Sequence, residues 1–150
     1  MFLHLSTVIV RALGLEPGKG TGSFGDILSD AWYGGYVQTA ADYGIIKGYS
    51  AAKFGPGDQI TREQAMTMIA RAMKLTGLNA GLTDGESDNL LAAYRDGASV
   101  SAYAGTSIAQ CIKTGVVSGK ENHSLAPKDN ITRAEVAVMV ERLLQKSNLI

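Results

Sequence analysis

The sequence predicts an all-α fold made of repeated helix–loop–helix units, and three observations predict it. The first is a pattern written twice, 71 residues apart. Trp32, Gly44-Ile45-Ile46, Gly48, Phe54, Pro56, Asp58 and Ile60-Thr61-Arg62 return as Tyr103, Gly115-Val116-Val117, Gly119, Leu125, Pro127, Asp129 and Ile131-Thr132-Arg133. Met68 and Arg71 return in the same way as Met139 and Arg142. A repeat of this size is one supersecondary unit that cannot bury its apolar face alone and stacks on its copies. The second observation is a pair of helix starts. Thr61 with Gln64, and Thr132 with Glu135, form capping boxes. The third is the apolar stripe after each box: Ala65, Met68, Ile69, Ala72 and Met73, then Val136, Met139, Val140, Leu143 and Leu144, all at helical spacing.

The elements follow in order. Thr7-Val8-Ile9-Val10-Arg11-Ala12-Leu13 echoes Thr67 to Met73 at an offset of 60, so residues 1–15 read as the closing helix of an earlier repeat. Met1 to Val10 lacks the positive start and small-residue cleavage site of a signal peptide. The repeat alignment reads it as a helix instead, and the expectation is a fragment or an unusual gene product. Residues 16–23, with Glu16-Pro17-Gly18-Lys19-Gly20-Thr21-Gly22, read as a flexible linker. The lysine there lacks the spacing and preceding strand of a phosphate loop.

Residues 24–78 hold the first whole copy. Trp32, Tyr36, Val37, Ala40 and Ala41 lie at helical spacing, Ser29 or Asp30 is placed to cap that helix, and Gly44 to end it. The loop from Gly48 to Ile60 is rich in breakers. The boxed second helix runs to Gly77. Residues 79–93, within a stretch from Thr76 to Asn89 rich in Gly, Asn, Asp and Thr, read as a second linker; residues 94–146 repeat the plan.

Composition narrows the function. The 150 residues suit one moderate core, and 14 basic side chains balance 14 acidic ones. No basic excess supports a nucleic-acid surface, and no apolar run nears the ~20 residues that span a bilayer. The single cysteine, Cys111, sits beside Ile108 and Ile112 at helical spacing and reads as a buried, inert thiol. His4 and His123 have no partners at metal-ligand spacing, so neither metal nor cofactor is expected. No Ser-His-Asp or Cys-His set stands out. Asp84, Glu86 and Asp88 cluster in a linker, a poor scaffold for a glycosidase pair.

Arg62 and Arg133 stand out because each follows its N-cap threonine, where a cation opposes the helix dipole by up to about 1 kcal/mol. Either an internal carboxylate compensates, with Asp58, Asp129, Asp26 or Asp96 as candidates, or Arg and the free helix N–H groups together receive an anionic ligand. Trp32 and Tyr103 are either core or aromatic faces on which a ligand can stack. Tyr49 is expected to be exposed. Gly48 and Gly119 either satisfy turn geometry or let a ligand approach the backbone. Asp26 and Asp96 either bond hydroxyl groups of a ligand or order their own turns.

These residues together resemble the S-layer homology family. Its F-x-D start, Trp-containing helix, G-I-I-x-G, F-x-P loop and I-T-R-A-E run match Phe24-Gly25-Asp26, Trp32, Gly44 to Gly48, Phe54-Gly55-Pro56 and Ile60 to Gln64. The second copy matches through Tyr94-Arg95-Asp96, Tyr103, Gly115 to Gly119, Leu125-Ala126-Pro127 and Ile131 to Glu135. Glu63-Gln64 replaces Ala-Glu in the first copy, Tyr94 and Tyr103 replace Phe and Trp in the second, and Met1-Phe2-Leu3-His4 stands where the earlier T-R-A-E would fall.

The resemblance implies repeats in a pseudo-threefold arrangement around a central helix bundle, with grooves between them. It implies a non-catalytic module of an exported bacterial cell-surface protein that binds secondary cell-wall polysaccharide, often carrying pyruvate ketals. Ligand contacts would come from Arg62, Arg133, Trp32, Tyr103, Asp26, Asp96, Gly48, Tyr49, Gly119, Thr61 and Thr132. The alternative is a protein–protein assembly module of a surface layer. The lone N-terminal helix is expected either to dock in its usual place or to be exchanged between chains, giving a homo-oligomer.

Overall fold

Helix α3, Arg62–Thr76, shows how strongly the local signals act. The Thr61 hydroxyl accepts the Gln64 N–H, the Gln64 side chain accepts the Thr61 N–H at 2.8 Å, and Gly77 ends the helix at φ 72°. Every residue from Ala65 to Ala70 is buried, so α3 is covered nearly all round rather than along one stripe. Helix α6, Arg133–Lys146, starts with the same box on Thr132 and Glu135. It buries Val136, Met139, Val140 and Leu143.

The computed structural model describes residues 1–20, 22–50 and 52–150. Thr21 of the glycine-rich linker and Ala51 of the first loop lie outside the described residues. Among the described residues there are six α-helices, three single 3-10 turns and no sheet, so the protein is all-α. None of these helices is long and apolar enough to cross a membrane.

The chain divides into two units. Unit 1 is Met1–Gln59, and in it α1 (Phe2–Ala12) packs on α2 (Gly34–Asp42). Of its residues, Leu5, Ile9, Val10, Val37, Ala40, Ile45 and Phe54 are wholly buried. Unit 2 is Ile60–Ile150. In it α3 packs on α5 (Gly105–Lys113) and on α6, while α4 (Glu86–Ala92) packs on α5. By the repeat offsets, α1 corresponds to α3 and α2 to α5. In both units the closing helix of one repeat therefore packs on the opening helix of the next, so packing is staggered against the sequence repeat.

Three local expectations differ from the structure. Helix α2 begins at Gly34 with Tyr33 as an N-cap that makes no side-chain bond, so neither Ser29 nor Asp30 caps it and Trp32 precedes it. The stretch read as linker carries α4 from Glu86. Its start is fixed locally by the Glu86 carboxylate, which accepts the Thr83 N–H at 2.8 Å and pairs with Lys113. The glycine-rich segment after α1 is pinned rather than loose. The Gly18 N–H donates to the Gly35 carbonyl and to Thr39 Oγ1, and the Gly20 N–H donates to Gln38 Oε1. The Gly18 carbonyl fills the space that a Cβ at Gly35 would need.

Candidate functional site

The second copy's loop is built around one carboxylate. Asp96 accepts the Leu125 and Ala126 N–H groups at 2.8 Å each, and the Ser124 hydroxyl at 2.9 Å. Asp26 does the same in unit 1, accepting the Phe54 and Gly55 N–H groups at 2.9 and 2.7 Å. Burial acts to raise both carboxyls, but these N–H donors outweigh it and hold them below the usual range. Both carboxylates thus order their turns.

The loop so formed lies on the start of α3. The Arg62 N–H donates to the Asp129 carbonyl at 2.8 Å and the Glu63 N–H to the Pro127 carbonyl at 3.0 Å. The free helix N–H groups expected at Arg62 are therefore occupied by the chain itself. The Arg62 side chain is only 4% exposed. Its Nε–H donates to the Leu125 carbonyl at 2.8 Å and its guanidinium pairs with Glu135 at 3.0 Å. The compensating carboxylate is Glu135, not one of the aspartates, because Asp96 is engaged by the loop backbone and Asp129 meets α3 through its carbonyl.

At the start of α6 the equivalent groups are open. Thr132 and Arg133 are exposed, and among the described residues the Arg133 and Ala134 N–H groups have no acceptor. Thr61 and Thr132 both serve as caps, accepting the N–H three residues on at 3.4 and 3.2 Å.

Beside this open end lies a pocket of about 250 Å³, wholly within unit 2. Val116, Val117, Val138 and Met139 form its apolar wall. Arg62, Lys120, Arg142 and Glu135 bring three cations and one carboxylate to it, and Gly119 lines it. Lys120 Nζ lies 3.0 Å from the same Glu135 oxygen that Arg62 meets, and the Arg142 guanidinium donates to Ser118 Oγ at 3.1 Å. Burial alone would raise the Glu135 carboxyl; the Thr132 N–H, Lys120 and Arg62 together hold it below its ordinary value.

A second polar cluster surrounds Glu63. Its carboxylate accepts the Ser101 N–H and hydroxyl at 3.0 and 2.7 Å, pairs with Lys128 at 2.8 Å, and meets the Tyr103 hydroxyl at 3.4 Å. Lys128 also touches the Ser101 hydroxyl. Tyr103 sits in a 3-10 turn just before α5 and is 58% exposed.

Trp32, Gly48 and Tyr49 fall in unit 1. Trp32 is 67% exposed, with its ring edge against Tyr33 and Tyr36. Tyr49 is 49% exposed and packs edge-on against Phe2. Gly48 and Gly119 have φ values of 68° and 78°, and a Cβ at either would lie 2.6 Å from the ring of Phe24 or Tyr94. Turn geometry and a close aromatic neighbour account for both glycines.

Of the sequence candidates, the structure brings only Arg62 and Gly119 to the pocket. Lys120, Glu135 and Arg142 join them. Arg142 carried a signal, as the repeat partner of Arg71. Lys120 carried none, because the first copy has Tyr49 at that position.

Comparison with known proteins matches this architecture. The S-layer homology domain profile matches residues 23–66 and 93–137. The amylopullulanase of Thermoanaerobacterium thermosulfurigenes is 34% identical over 96% of the chain, which covers 7% of that protein. The exoglucanase XynX of Acetivibrio thermocellus is 31% identical over 97% of the chain, covering 13% of its length. The surface-layer 125 kDa protein of Lysinibacillus sphaericus is 31% identical over 93%, covering 11%. The chain thus spans a small part of each relative. It belongs to the S-layer homology domain family, non-catalytic modules that anchor exported proteins at the bacterial cell surface by binding cell-wall polysaccharide.

Proposed function

We propose that this chain retains its parent protein non-covalently on a secondary cell-wall polysaccharide, with carboxylate substituents such as pyruvate ketals as the anchoring groups. The observation that carries the reading is the unit 2 pocket, where three cations face one carboxylate beside an apolar wall. Its volume, about 250 Å³, falls below the ~300–1,000 Å³ of drug-sized sites. It suits a single residue of a polymer, whose neighbours run on over the surface. Arg133 and the open N–H groups of α6 offer a second anionic contact. Trp32 and Tyr103 present exposed aromatic faces suited to sugar rings. Several weak contacts along one polymer add through multivalency.

Co-sedimentation with purified Gram-positive sacculi tests this. Binding should be strong to intact sacculi and lost once the non-peptidoglycan polymer is extracted. Arg133→Ala should weaken binding without lowering the melting temperature. Binding that survives extraction would overturn the polysaccharide reading.

One observation favours a second reading, assembly with another polypeptide. The first N–H groups of α3 donate to carbonyls of a loop of this chain, whereas those of α6 face no acceptor among the described residues. A partner chain's loop would fill that end as Pro127 and Asp129 fill the other. Chain-to-chain association in the absence of wall polymer would support it.

A further inference from the structure

The four charges of the unit 2 pocket are not equivalent. Arg62 is 3% exposed and held on both sides, by the Leu125 carbonyl and by Glu135. Its charge is neutralised inside the protein. The Lys120 side chain is 41% exposed and shares Glu135 with Arg62. Among the described residues, the partner of Arg142 is a neutral one, the Ser118 hydroxyl. Removing the Arg62–Glu135 pair from the balance leaves Lys120 and Arg142 as the pocket's uncompensated cations.

Glu135 has a second feature. Its Oε2 accepts the Thr132 N–H at 2.9 Å, completing the α6 cap, while Oε1 meets both Arg62 and Lys120. Gln64, 71 residues earlier, makes the same cap on Thr61 at 2.8 Å with no charge. Capping therefore does not require a carboxylate at this position. The charge of Glu135 acts on the pocket.

We infer that Lys120 and Arg142 are the groups that receive the negative charge of a sugar carboxylate, and that Glu135 is an internal anion that competes with it and limits how much negative charge the pocket accepts. Val116, Val117, Val138 and Met139 then meet the apolar face of the same sugar. Ser118 holds the Arg142 guanidinium at the pocket. The inference deepens the polysaccharide reading and rests on it for the natural source of the carboxylate. The pocket chemistry is testable without any wall polymer.

The experiment is a heteronuclear NMR titration of the whole chain with sodium glucuronate at constant ionic strength, with glucose as the neutral control. Glucuronate should shift the Val116 to Lys120 amides and the Arg142 side-chain signal, and glucose should not. Lys120→Gln and Arg142→Gln should each weaken binding by about tenfold or more, as loss of a charged hydrogen bond does. Glu135→Gln, which keeps the cap as Gln64 does, should tighten it. Unchanged amide spectra outside the pocket check that each variant folds.

Absence of these shifts in the unsubstituted chain would overturn the inference, as would equal binding by a Lys120→Gln, Arg142→Gln double variant. Weaker or unchanged binding by Glu135→Gln would overturn the role given to Glu135. The two readings fail separately. Glucuronate binding without sacculus binding removes the polysaccharide reading alone. Sacculus binding untouched by the double variant removes this inference alone.

Discussion

At the scale of single residues, the carboxylates carry the order of unit 2. Asp96 has two N–H donors and a hydroxyl on its two oxygens, and the loop it shapes supplies the Asp129 and Pro127 carbonyls that accept the first two N–H groups of α3. Asp96→Asn replaces one acceptor by a donor aimed at other donors. It should cost about 1–3 kcal/mol, read by urea denaturation. Glu63 makes the matching pH argument. Burial acts to raise its pKa, but Lys128 and the Ser101 donors outweigh it, so the folded value lies below the ordinary 4.5. A lowered folded pKa means that its contribution is fully present above 4.5 and fades as pH falls through the native value. Denaturation midpoints should therefore drop in acid below that point, and Glu63→Gln should flatten the drop. An acid profile unchanged by Glu63→Gln would count against the cluster. Glu63 also shows what the sequence hides. It departs from the usual Ala at that motif position, yet its partners Ser101, Tyr103 and Lys128 lie 38 to 65 residues away in the chain.

At the scale of elements, legibility followed the range of the interaction. The boxed starts of α3 and α6 and the glycine end of α3 are written within a few residues of the chain, and the structure has them where they were expected. Thr132→Ala removes the acceptor for the Glu135 N–H and should cost about 1 kcal/mol, measured as a fall in melting temperature. The start of α2 was not legible, because Tyr33 offers no capping side chain and the helix is held by what packs on it. Helix α4 was hidden for another reason: Gly85 precedes it at φ 75°, and seven residues are too short for a periodic signal. The turn at Gly119 was legible as a turn, but its reason was not. With φ at 78° and the Tyr94 ring 2.6 Å from any Cβ, Gly119→Ala should destabilise unit 2 as well as disturb the pocket wall. Gly57, with nothing within 4 Å of a Cβ, should tolerate the same change far better.

At the scale of the whole molecule, the repeat gave the family and the all-α class, while the pocket needed three-dimensional closure. Repeat comparison favours residues that recur, such as Arg62 and Arg133. The structure separates those two, burying one beneath a loop and leaving the other open. The same stagger bears on the N-terminal helix, for which docking and exchange between chains were both expected. Leu5, Ile9 and Val10 of α1 are wholly buried, and the Met1 amine donates to the Asp58 carbonyl at 2.8 Å. Exchange would require the segment after α1 to open as a hinge, and that segment is tied down. Thr39 Oγ1 accepts the Gly18 N–H and donates to the Glu16 carbonyl, both at 2.9 Å. We therefore expect a monomer by size-exclusion chromatography with light scattering, even at high concentration. Thr39→Ala removes both ties and should be the substitution that first admits a dimer, since a freed hinge is what exchange needs. A stable dimer of the unsubstituted chain would show that α1 is shared between molecules despite those ties.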